Sequence, residues 1–178
     1  MLSPKNFFIS GNPGIGKTTL IKESVLPFKN LIGGFVTEEI IEDGKRMGFL
    51  LKSLAGPSGI LASKKMAGPV RLKKYGLDLS VLDTIAVPSL KDCLAKKKIA
   101  VIDEIGAMEI MSDGLREAVM QCLGSSIPVL ATLRAKSEPF TDSIKRLEQS
   151  AVLTLTRSNY QEVKAKIRLW IEEVQKTL

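Results

Sequence analysis

The sequence predicts an α/β fold in which a mainly parallel central sheet is flanked by helices and carries an antiparallel β-hairpin insertion. Three observations support this fold class. An apolar run at residues 6–10 leads into a glycine-rich loop and then an amphipathic helix. Short β-like runs occupy residues 31–63, and helices alternate with strands from about residue 80. A chain of 178 residues without linkers or repeats is expected to form one domain, residues 1–178.

The first elements are a strand, a loop and a helix. Residues 6–10 form an apolar, β-rich run, which is typical of a strand buried on both faces. After the loop, residues 17–26 place apolar side chains on one side of a predicted helix. Pro27 ends this helix, because proline cannot continue the helical hydrogen-bond pattern.

The next elements are predicted to be antiparallel strands. The runs at residues 31–41, 47–54 and 60–63 are separated by the turn sequences Asp43-Gly44 and Gly56-Pro57-Ser58-Gly59. Short β-rich runs joined by turn residues are typical of hairpins. We therefore expect an antiparallel insertion after the first helix.

The remaining chain alternates between helix and strand. Helices are predicted at residues 82–96, 113–123, 140–147 and 160–176, and strands at residues 99–102, 128–132 and 151–155. Strands joined through helices are normally parallel and are covered by the helices on both faces. This half of the chain therefore predicts the parallel part of the sheet.

Composition narrows the possible chemistry. The chain has no histidine, which excludes Ser-His and Cys-His nucleophile systems and histidine-ligated metals. A general base must then be a carboxylate, a lysine, a tyrosine or a metal-bound hydroxide. The net charge of +7 favours polyanionic partners, namely nucleotides, nucleic acids or acidic membrane surfaces.

Several features predict a cytoplasmic protein. No apolar run is long enough to span a bilayer, and the N-terminal Met1-Leu2-Ser3-Pro4-Lys5 has no signal-peptide pattern. Cys93 and Cys122 are too few and too isolated for a disulfide framework or a zinc site, so both are expected to be buried thiols. We expect a cytoplasmic monomer without a membrane partner.

Residues 11–18 form a phosphate-binding loop. They read Gly11-Asn12-Pro13-Gly14-Ile15-Gly16-Lys17-Thr18, which fills the pattern G-x-x-x-x-G-K-[ST] between a predicted strand and a helix. Glycines let backbone N–H groups point at phosphates, and the helix N-terminus adds its positive dipole end. Lys17 is predicted to reach the β- and γ-phosphates as a catalytic cation, Thr18 to ligate Mg²⁺, and Thr19 to extend the binding loop.

Two acidic residues follow the predicted strand at residues 99–102. Asp103, at the carboxyl end of that strand, is the expected second Mg²⁺ partner, through a coordinated water. Glu104 is predicted to point to the other side of the chain and to act as the catalytic base on an attacking water. Ile105 and Gly106 complete this binding segment. The alternative is that the acidic pair only caps the following loop.

Other polar residues are secondary candidates. Thr132 ends the next predicted strand, where it either senses the γ-phosphate or holds the attacking water, or else caps the next loop. Candidates for a cation that clamps the γ-phosphate are Arg134, Arg157, Lys64 and Lys65, and the alternative for each is a surface charge. Trp170 lies at helical spacing with apolar residues, so we assign it to the core.

The two site segments together resemble the thermophile-type nucleoside-triphosphatase family, whose vertebrate members are called cancer-related nucleoside triphosphatase. The more particular segment is Asp103-Glu104-Ile105-Gly106-Ala107-Met108-Glu109. Further similar segments are Gly34-Phe35-Val36-Thr37-Glu38-Glu39, Arg46-Met47-Gly48-Phe49, Tyr75-Gly76-Leu77 and Ala86-Val87-Pro88. The resemblance implies a RecA-like P-loop NTPase fold and Mg²⁺-dependent hydrolysis of the γ-phosphate of ATP, GTP and other nucleoside triphosphates with loose base selectivity.

Two other functions are compatible with the loop. One is a P-loop kinase that phosphorylates a nucleoside, a nucleotide or a polynucleotide end, and the other is an NTP-regulated nucleic-acid-binding protein. Glu104 and the lack of an arginine-rich lid segment favour water as the acceptor. Nucleic acid is possible as a partner but not indicated, since aromatic residues are only 5% of the chain and no binding module is visible.

Overall fold

The protein, studied as a computed structural model, is described over residues 4–178, so Met1, Leu2 and Ser3 of the N-terminal segment lie outside the described residues. Over that range it forms a mixed α/β fold on one sheet of nine strands. The strands are β1 (Asn6–Gly11), β2 (Ile32–Glu42), β3 (Lys45–Ser53), β4 (Ser58–Ser63), β5 (Arg71–Leu72), β6 (Tyr75–Leu77), β7 (Ile99–Ile105), β8 (Val129–Arg134) and β9 (Ser150–Thr154). The α-helices in the same range are α1 (Lys17–Val25), α2 (Val87–Lys96), α3 (Asp113–Gly124), α4 (Pro139–Lys145) and α5 (Tyr160–Val174).

The sheet has two halves with different pairing. Its strand order is β5-β6-β4-β3-β2-β7-β8-β1-β9. The strands β2, β7, β8, β1 and β9 pair in parallel and form the parallel half. The strands β3, β4, β5 and β6 are joined by antiparallel pairings and form the antiparallel half, which β3 attaches to β2. The sheet is therefore mixed, with as many antiparallel as parallel strand pairings, whereas the sequence predicted a mainly parallel sheet with a smaller antiparallel insertion.

Alternation along the parallel strands divides the core into two layers. In β1, Phe7 and Ile9 face α1 and α5, whereas Phe8 faces the layer that contains α2 and α3. Such runs must be apolar at every position, because both faces of the strand are buried. Trp170 of α5 packs on Phe7 with ring centroids 5.5 Å apart, which confirms the assignment of this tryptophan to the core.

Both cysteines are buried thiols, as predicted. Cys93 lies on α2 and Cys122 on α3, and neither forms a disulfide. Burial raises the pKa of Cys93 to about 12 and that of Cys122 to about 11. Thiols that stay protonated are poor nucleophiles and poor metal ligands, so these side chains act as small apolar groups.

The structure differs from the sequence prediction in a few elements. The helix predicted at residues 82–96 begins as a π-helical segment, Leu82–Ala86, and continues as α2, whose first turn contains Pro88. In a regular helix each N–H group donates to the carbonyl group one turn earlier. Proline has no N–H group to donate, which accounts for the irregular turn before it. The hairpin formed by β5 and β6 was not predicted, because strands of two and three residues are too short to show alternation.

The parallel half determines where a ligand can bind. β1 lies next to β8, and β8 lies next to β7, so the carboxyl ends of these three strands meet at one edge of the sheet. In open α/β sheets, ligands bind at this edge. Among the helices of residues 4–178, none is both long enough and apolar enough to cross a membrane.

Candidate active site

The phosphate-binding loop connects β1 to α1. Gly11 is the last residue of β1, residues 12–15 form the loop, and Gly16 precedes the first turn of α1. Gly14 and Gly16 have φ angles of 77° and 99°, a left-handed backbone that other residues resist. Gly16 provides no side-chain cap for α1, so the N-terminal N–H groups of the helix remain available to an anion.

The ammonium group of Lys17 lies inside the loop. The residue is buried, and its Nζ donates hydrogen bonds to the carbonyl oxygens of Gly11 at 3.0 Å and Asn12 at 3.3 Å. No carboxylate among the described residues forms an ion pair with it. An ammonium that is held only by neutral carbonyl groups can exchange them for phosphate oxygens at little cost, because a hydrogen bond between two charged partners is stronger than one to a neutral acceptor.

Asp103 lies beneath the loop on β7. The sequence placed it at the carboxyl end of a strand ending at residue 102, but β7 continues to Ile105, so Asp103 lies inside the strand. Both Asp103 and Thr132 of β8 are fully buried, and Thr132 Oγ1 donates to Asp103 Oδ1 at 2.6 Å. The hydroxyl of Thr37 on β2 donates to the main-chain oxygen of Asp103 at 2.8 Å. Thr132 therefore orients this carboxyl group, a role that neither sequence alternative described.

The second oxygen of Asp103 lacks a partner within residues 4–178. Oδ2 is buried and accepts no hydrogen bond there. Burial raises the pKa of Asp103, and the hydroxyls of Thr132 and Thr18 oppose this shift. A buried carboxylate oxygen without a donor costs free energy that a cation would recover.

The residues around Asp103 fit Mg²⁺. The orphaned Oδ2 and the neighbouring Thr18 hydroxyl are both oxygen ligands, which this ion prefers. The described residues contain no group of three or more histidine, cysteine or acidic side chains able to hold a metal ion. Mg²⁺ commonly uses one or two protein ligands together with phosphates and waters, so a sparse site of this kind suits it.

Glu104 follows Asp103 and faces the open space above the loop. The peptide bond between the two residues is cis. Glu104 Oε1 lies 3.9 Å from Arg134 Nε, and the two side chains are each 35% exposed. Burial raises the pKa of Glu104, and the charge of Asp103 adds to this, whereas Lys17 and Arg134 lower it. The site thus holds a carboxylate that is partly desolvated and accessible to water.

Glu109 is a third carboxyl group of the site, and it was not among the residues assigned to the site from the sequence. It is buried and accepts a hydrogen bond from the N–H of Gly106 at 3.1 Å. A methyl group on Gly106 would lie 3.0 Å from Glu104 Oε1 and 3.1 Å from Glu109 Oε2, so both carboxyl groups converge on this glycine. Burial, reinforced by Glu104, raises the pKa of Glu109 to about 8. Its sequence signals were its place at the end of the family-like segment at residues 103–109 and its acidic side chain inside the apolar stretch at residues 107–111.

A cleft of about 750 Å³ joins the loop to the antiparallel half. One side presents Lys17, Thr18, Glu104, Glu109 and Arg134. The opposite side presents Arg46, Phe49, Leu72, Lys73 and Tyr75, which we call the far wall. None of the far-wall residues was a sequence candidate for the site.

The secondary cation candidates are separated by the fold. Arg134 lines the cleft beside Glu104, whereas Arg157, Lys64 and Lys65 do not line it. Lys65 pairs instead with Glu42 at 2.5 Å on the surface. Among the four candidates, only Arg134 is placed to contact a bound triphosphate.

Known proteins share this architecture. A model of a family described as NTPase matches residues 6–168. A nucleoside-triphosphatase THEP1 from Thermotoga petrophila is 43% identical over 151 residues, covering 85% of this chain and 84% of the relative. The crystal structure of THEP1 from Aquifex aeolicus aligns with a TM-score of 0.84 at 30% identity, covering 91% of this chain and 96% of that one. The solution structure of a human cancer-related nucleoside triphosphatase aligns with a TM-score of 0.79 at 29% identity, covering 97% and 98%.

Proposed function

Because this chain belongs to the NTPase family and is a nucleoside-triphosphatase, we propose that it hydrolyses the γ-phosphate of nucleoside triphosphates with Mg²⁺ and little base selectivity. The observation that carries the proposal is the grouping of three side chains at the loop. Lys17 and the partly exposed carboxylate of Glu104 line one cleft. Asp103, with its orphaned Oδ2, is buried next to Glu104 in β7.

The loop binds the phosphates. The N-terminal N–H groups of α1 and the glycine backbone of residues 11–16 donate to phosphate oxygens. Lys17 releases the carbonyl oxygens of Gly11 and Asn12 and turns its Nζ to the β- and γ-phosphates. These contacts recognise phosphates and not the base, which supports hydrolysis of ATP, GTP and other nucleoside triphosphates alike.

Thr18 and Asp103 are the residues that would hold Mg²⁺. Bound there, the ion neutralises negative charge on the phosphate oxygens. Thr132 keeps Asp103 in position through its hydrogen bond to Oδ1, which leaves Oδ2 directed away from that donor. Asn12, Pro13, Ile15, Thr19, Ile105 and Gly106 complete the segments that we assign to nucleotide binding.

Glu104 activates the attacking water. Its carboxylate accepts the proton from the water as the water oxygen forms a bond to the γ-phosphorus and the bond to the bridging β,γ oxygen breaks. Because burial raises the pKa of Glu104, its carboxylate is a stronger base than that of an ordinary surface glutamate. Arg134, beside Glu104, provides a positive charge for the phosphoryl group in the transition state.

We also propose that the fold is a RecA-like P-loop domain comprising residues 1–178, with the antiparallel strands as an insertion after α1. The position of β8 between the loop strand β1 and the acidic strand β7 supports this topology. We further propose that the enzyme is a cytoplasmic monomer.

Phosphate release from ATP, GTP, CTP and UTP tests the proposal. With Mg²⁺ all four triphosphates release phosphate, and EDTA abolishes the reaction. Lys17→Ala lowers kcat/KM by about 10²–10³-fold, because a buried cation at the transferring group is lost. Lys29→Ala is the matched control, since Lys29 is exposed and outside the cleft. Equal rates for wild type and Lys17→Ala contradict the assignment.

A further inference from the structure

The far wall has the composition of a ligand site. Phe49 and Tyr75 form an edge-to-face pair with ring centroids 5.4 Å apart. One side of this pair packs on a small apolar cluster that includes Ala62 and Leu77, and the other side borders the cleft. The chain has only two tyrosines and six phenylalanines, and one of each lines the cleft.

Arg46 is fixed over this aromatic pair. Its guanidinium carbon lies 5.3 Å from the centroid of the Phe49 ring, and its Nε donates to the Tyr75 hydroxyl at 3.4 Å. A further hydrogen bond and ion pair joins it to Glu39. Despite these contacts the side chain is 43% exposed. A guanidinium group held in one plane with a free face is suited to stacking on a planar heterocycle.

Lys73 supplies a cation for an anionic group. It lies in the turn between β5 and β6 with a φ of 55°, it is exposed, and it lines the cleft. Within the described part of the chain it takes part in no ion pair. Its neighbour Lys74 differs, because its Nζ lies 5.6 Å from the Tyr75 ring centroid and it does not line the cleft.

The far wall lies beyond the γ-phosphate position. Lys17, next to the loop strand β1, marks the β- and γ-phosphates. In the sheet, β8, β7 with Glu104, and β2 lie between β1 and β3, which carries Arg46 and Phe49, so the wall is on the Glu104 side of the loop. The nucleoside end of a triphosphate points away from its γ-phosphate. The wall therefore meets a second molecule and not the base of the bound triphosphate.

We propose that the far wall binds a second nucleotide, a nucleoside monophosphate, opposite the γ-phosphate. Its base stacks on Arg46 and borders Phe49, Glu39 accepts a hydrogen bond from a base N–H group, and its phosphate pairs with Lys73. The volume of about 750 Å³ is within the range of sites that enclose a drug-sized ligand, so the cleft has room for more than a triphosphate chain. The inference rests on the proposed function, because that function sets the direction of the triphosphate.

Equilibrium dialysis with the full chain tests the inference. The loop is first saturated with Mg²⁺ and the non-hydrolysable β,γ-imido analogue of ATP, so that a monophosphate cannot occupy it. Labelled AMP, GMP, CMP and UMP are then titrated, with adenosine and inorganic phosphate as partial ligands. We expect one additional saturable site per chain for at least one monophosphate, and at least tenfold weaker binding of adenosine and phosphate alone.

The variants Arg46→Ala and Lys73→Ala each weaken the additional site about tenfold, a loss typical of one stacking or ionic partner. Lys74→Ala is the matched control and leaves binding unchanged. Equal melting temperatures of the lysine variants exclude a folding effect. The inference is overturned by no additional site, by equal effects of the two lysine variants, by displacement of the analogue, or by binding of polynucleotide ends only.

Phosphate release from the same preparation separates the two proposals. Hydrolysis without monophosphate binding overturns the second site and leaves the proposed function intact. Failure to bind the analogue or to hydrolyse any triphosphate overturns the proposed function, and the second-site inference then falls with it.

Discussion

The two halves of the sheet differ in the burial and pairing of their carboxyl groups. In the parallel half, Asp103, Glu104 and Glu109 are desolvated, and burial raises the pKa of each. In the antiparallel half and at its border with β2, Glu39 and Glu42 pair with cations on the surface. Glu38 pairs with Lys22, whose hydrogen bond lowers the pKa of that carboxyl group. Among the described residues, Asp103 and Glu109 thus form no ion pair and Glu104 lies 3.9 Å from Arg134, whereas Glu38, Glu39 and Glu42 are each in a close ion pair.

This difference shows where the molecule has given up stability. An unpaired buried charge or polar oxygen costs free energy in the folded protein, and it persists where an incoming ligand supplies the missing partner. Surface pairs such as that of Glu42 with Lys65 contribute little stability, and their charges need no ligand as a partner. The parallel half therefore holds the reactive groups, and the antiparallel half shapes the space in front of them.

The largest expected effect concerns the seam between β2 and β7. Gly34 has a φ of 100°, and a Cβ there would lie 2.1 Å from the main-chain oxygen of Val101. Gly34→Ala is expected to lower the free energy of unfolding by about 4 kcal/mol, through backbone strain and this clash. Gly44→Ala, in the β2–β3 turn with a φ of 69° and no neighbour within 4 Å, should cost about 1 kcal/mol. Urea unfolding measures both losses. Equal losses would contradict the expectation that the β2–β7 seam tolerates a side chain less well than the β2–β3 turn.

The next effect concerns Glu104, the carboxylate that we propose as the catalytic base. Glu104→Gln should lower kcat about 100-fold, equivalent to about 2.7 kcal/mol, while affinity for the triphosphate is retained. Glu42→Gln is its control in the other half, because Glu42 is exposed and paired with Lys65. Phosphate release and binding of the non-hydrolysable analogue measure the two quantities. A Glu104→Gln enzyme with normal turnover would remove Glu104 as the base.

Glu109 gives a pH-dependent effect. Its folded pKa of about 8 exceeds the ordinary value of 4.5, so between these values the folded state holds a proton that the unfolded state has released. The contribution of Glu109 to stability therefore falls as pH rises from 4.5 to 8. Glu109→Gln keeps an acceptor for Gly106 and should gain about 1 kcal/mol over wild type per pH unit between pH 6 and 8.

The sign should reverse at Glu38. Its pKa is lowered by Lys22, so its contribution is present at neutral pH and lost on acidification. Glu38→Gln should accordingly differ most from wild type at neutral pH and least in acid. Thermal unfolding of both variants from about pH 2 to pH 8 provides the comparison, because the loss at Glu38 occurs below its unfolded pKa of 4.5. The same pH trend in the two variants would contradict it.

The smallest effect concerns the cation in the transition state. Arg134→Ala should lower kcat about tenfold, because a positive charge beside Glu104 is lost at the γ-phosphate. Arg157→Ala should leave kcat unchanged, since Arg157 lies outside the cleft. Steady-state hydrolysis of ATP measures both. Equal turnover of wild type and Arg134→Ala would leave Lys17 as the only cation assigned to the phosphates.

The local elements near the loop could be predicted from the sequence. The continuous apolar run of β1, the glycines after it and the amphipathic helix α1 each follow from interactions between near neighbours in the chain. The helix α5 and the buried position of Trp170 likewise follow from helical periodicity. The short strands β5 and β6 left no such periodic signal.

The sequence by itself determined the loop, the acidic pair at residues 103–104 and the alternation that makes the parallel half, because these are patterns of adjacent residues. Only the tertiary structure brought Thr132 onto Asp103, Glu109 beside Glu104, and Arg46 and Tyr75 across from Lys17. The contact of Thr132 with Asp103 and the position of the far wall depend on strand order and register, whereas Glu109 approaches Glu104 through the turn at Gly106. Neither strand order nor register is encoded in local spacing, which is why the sequence did not predict the residues of the far wall.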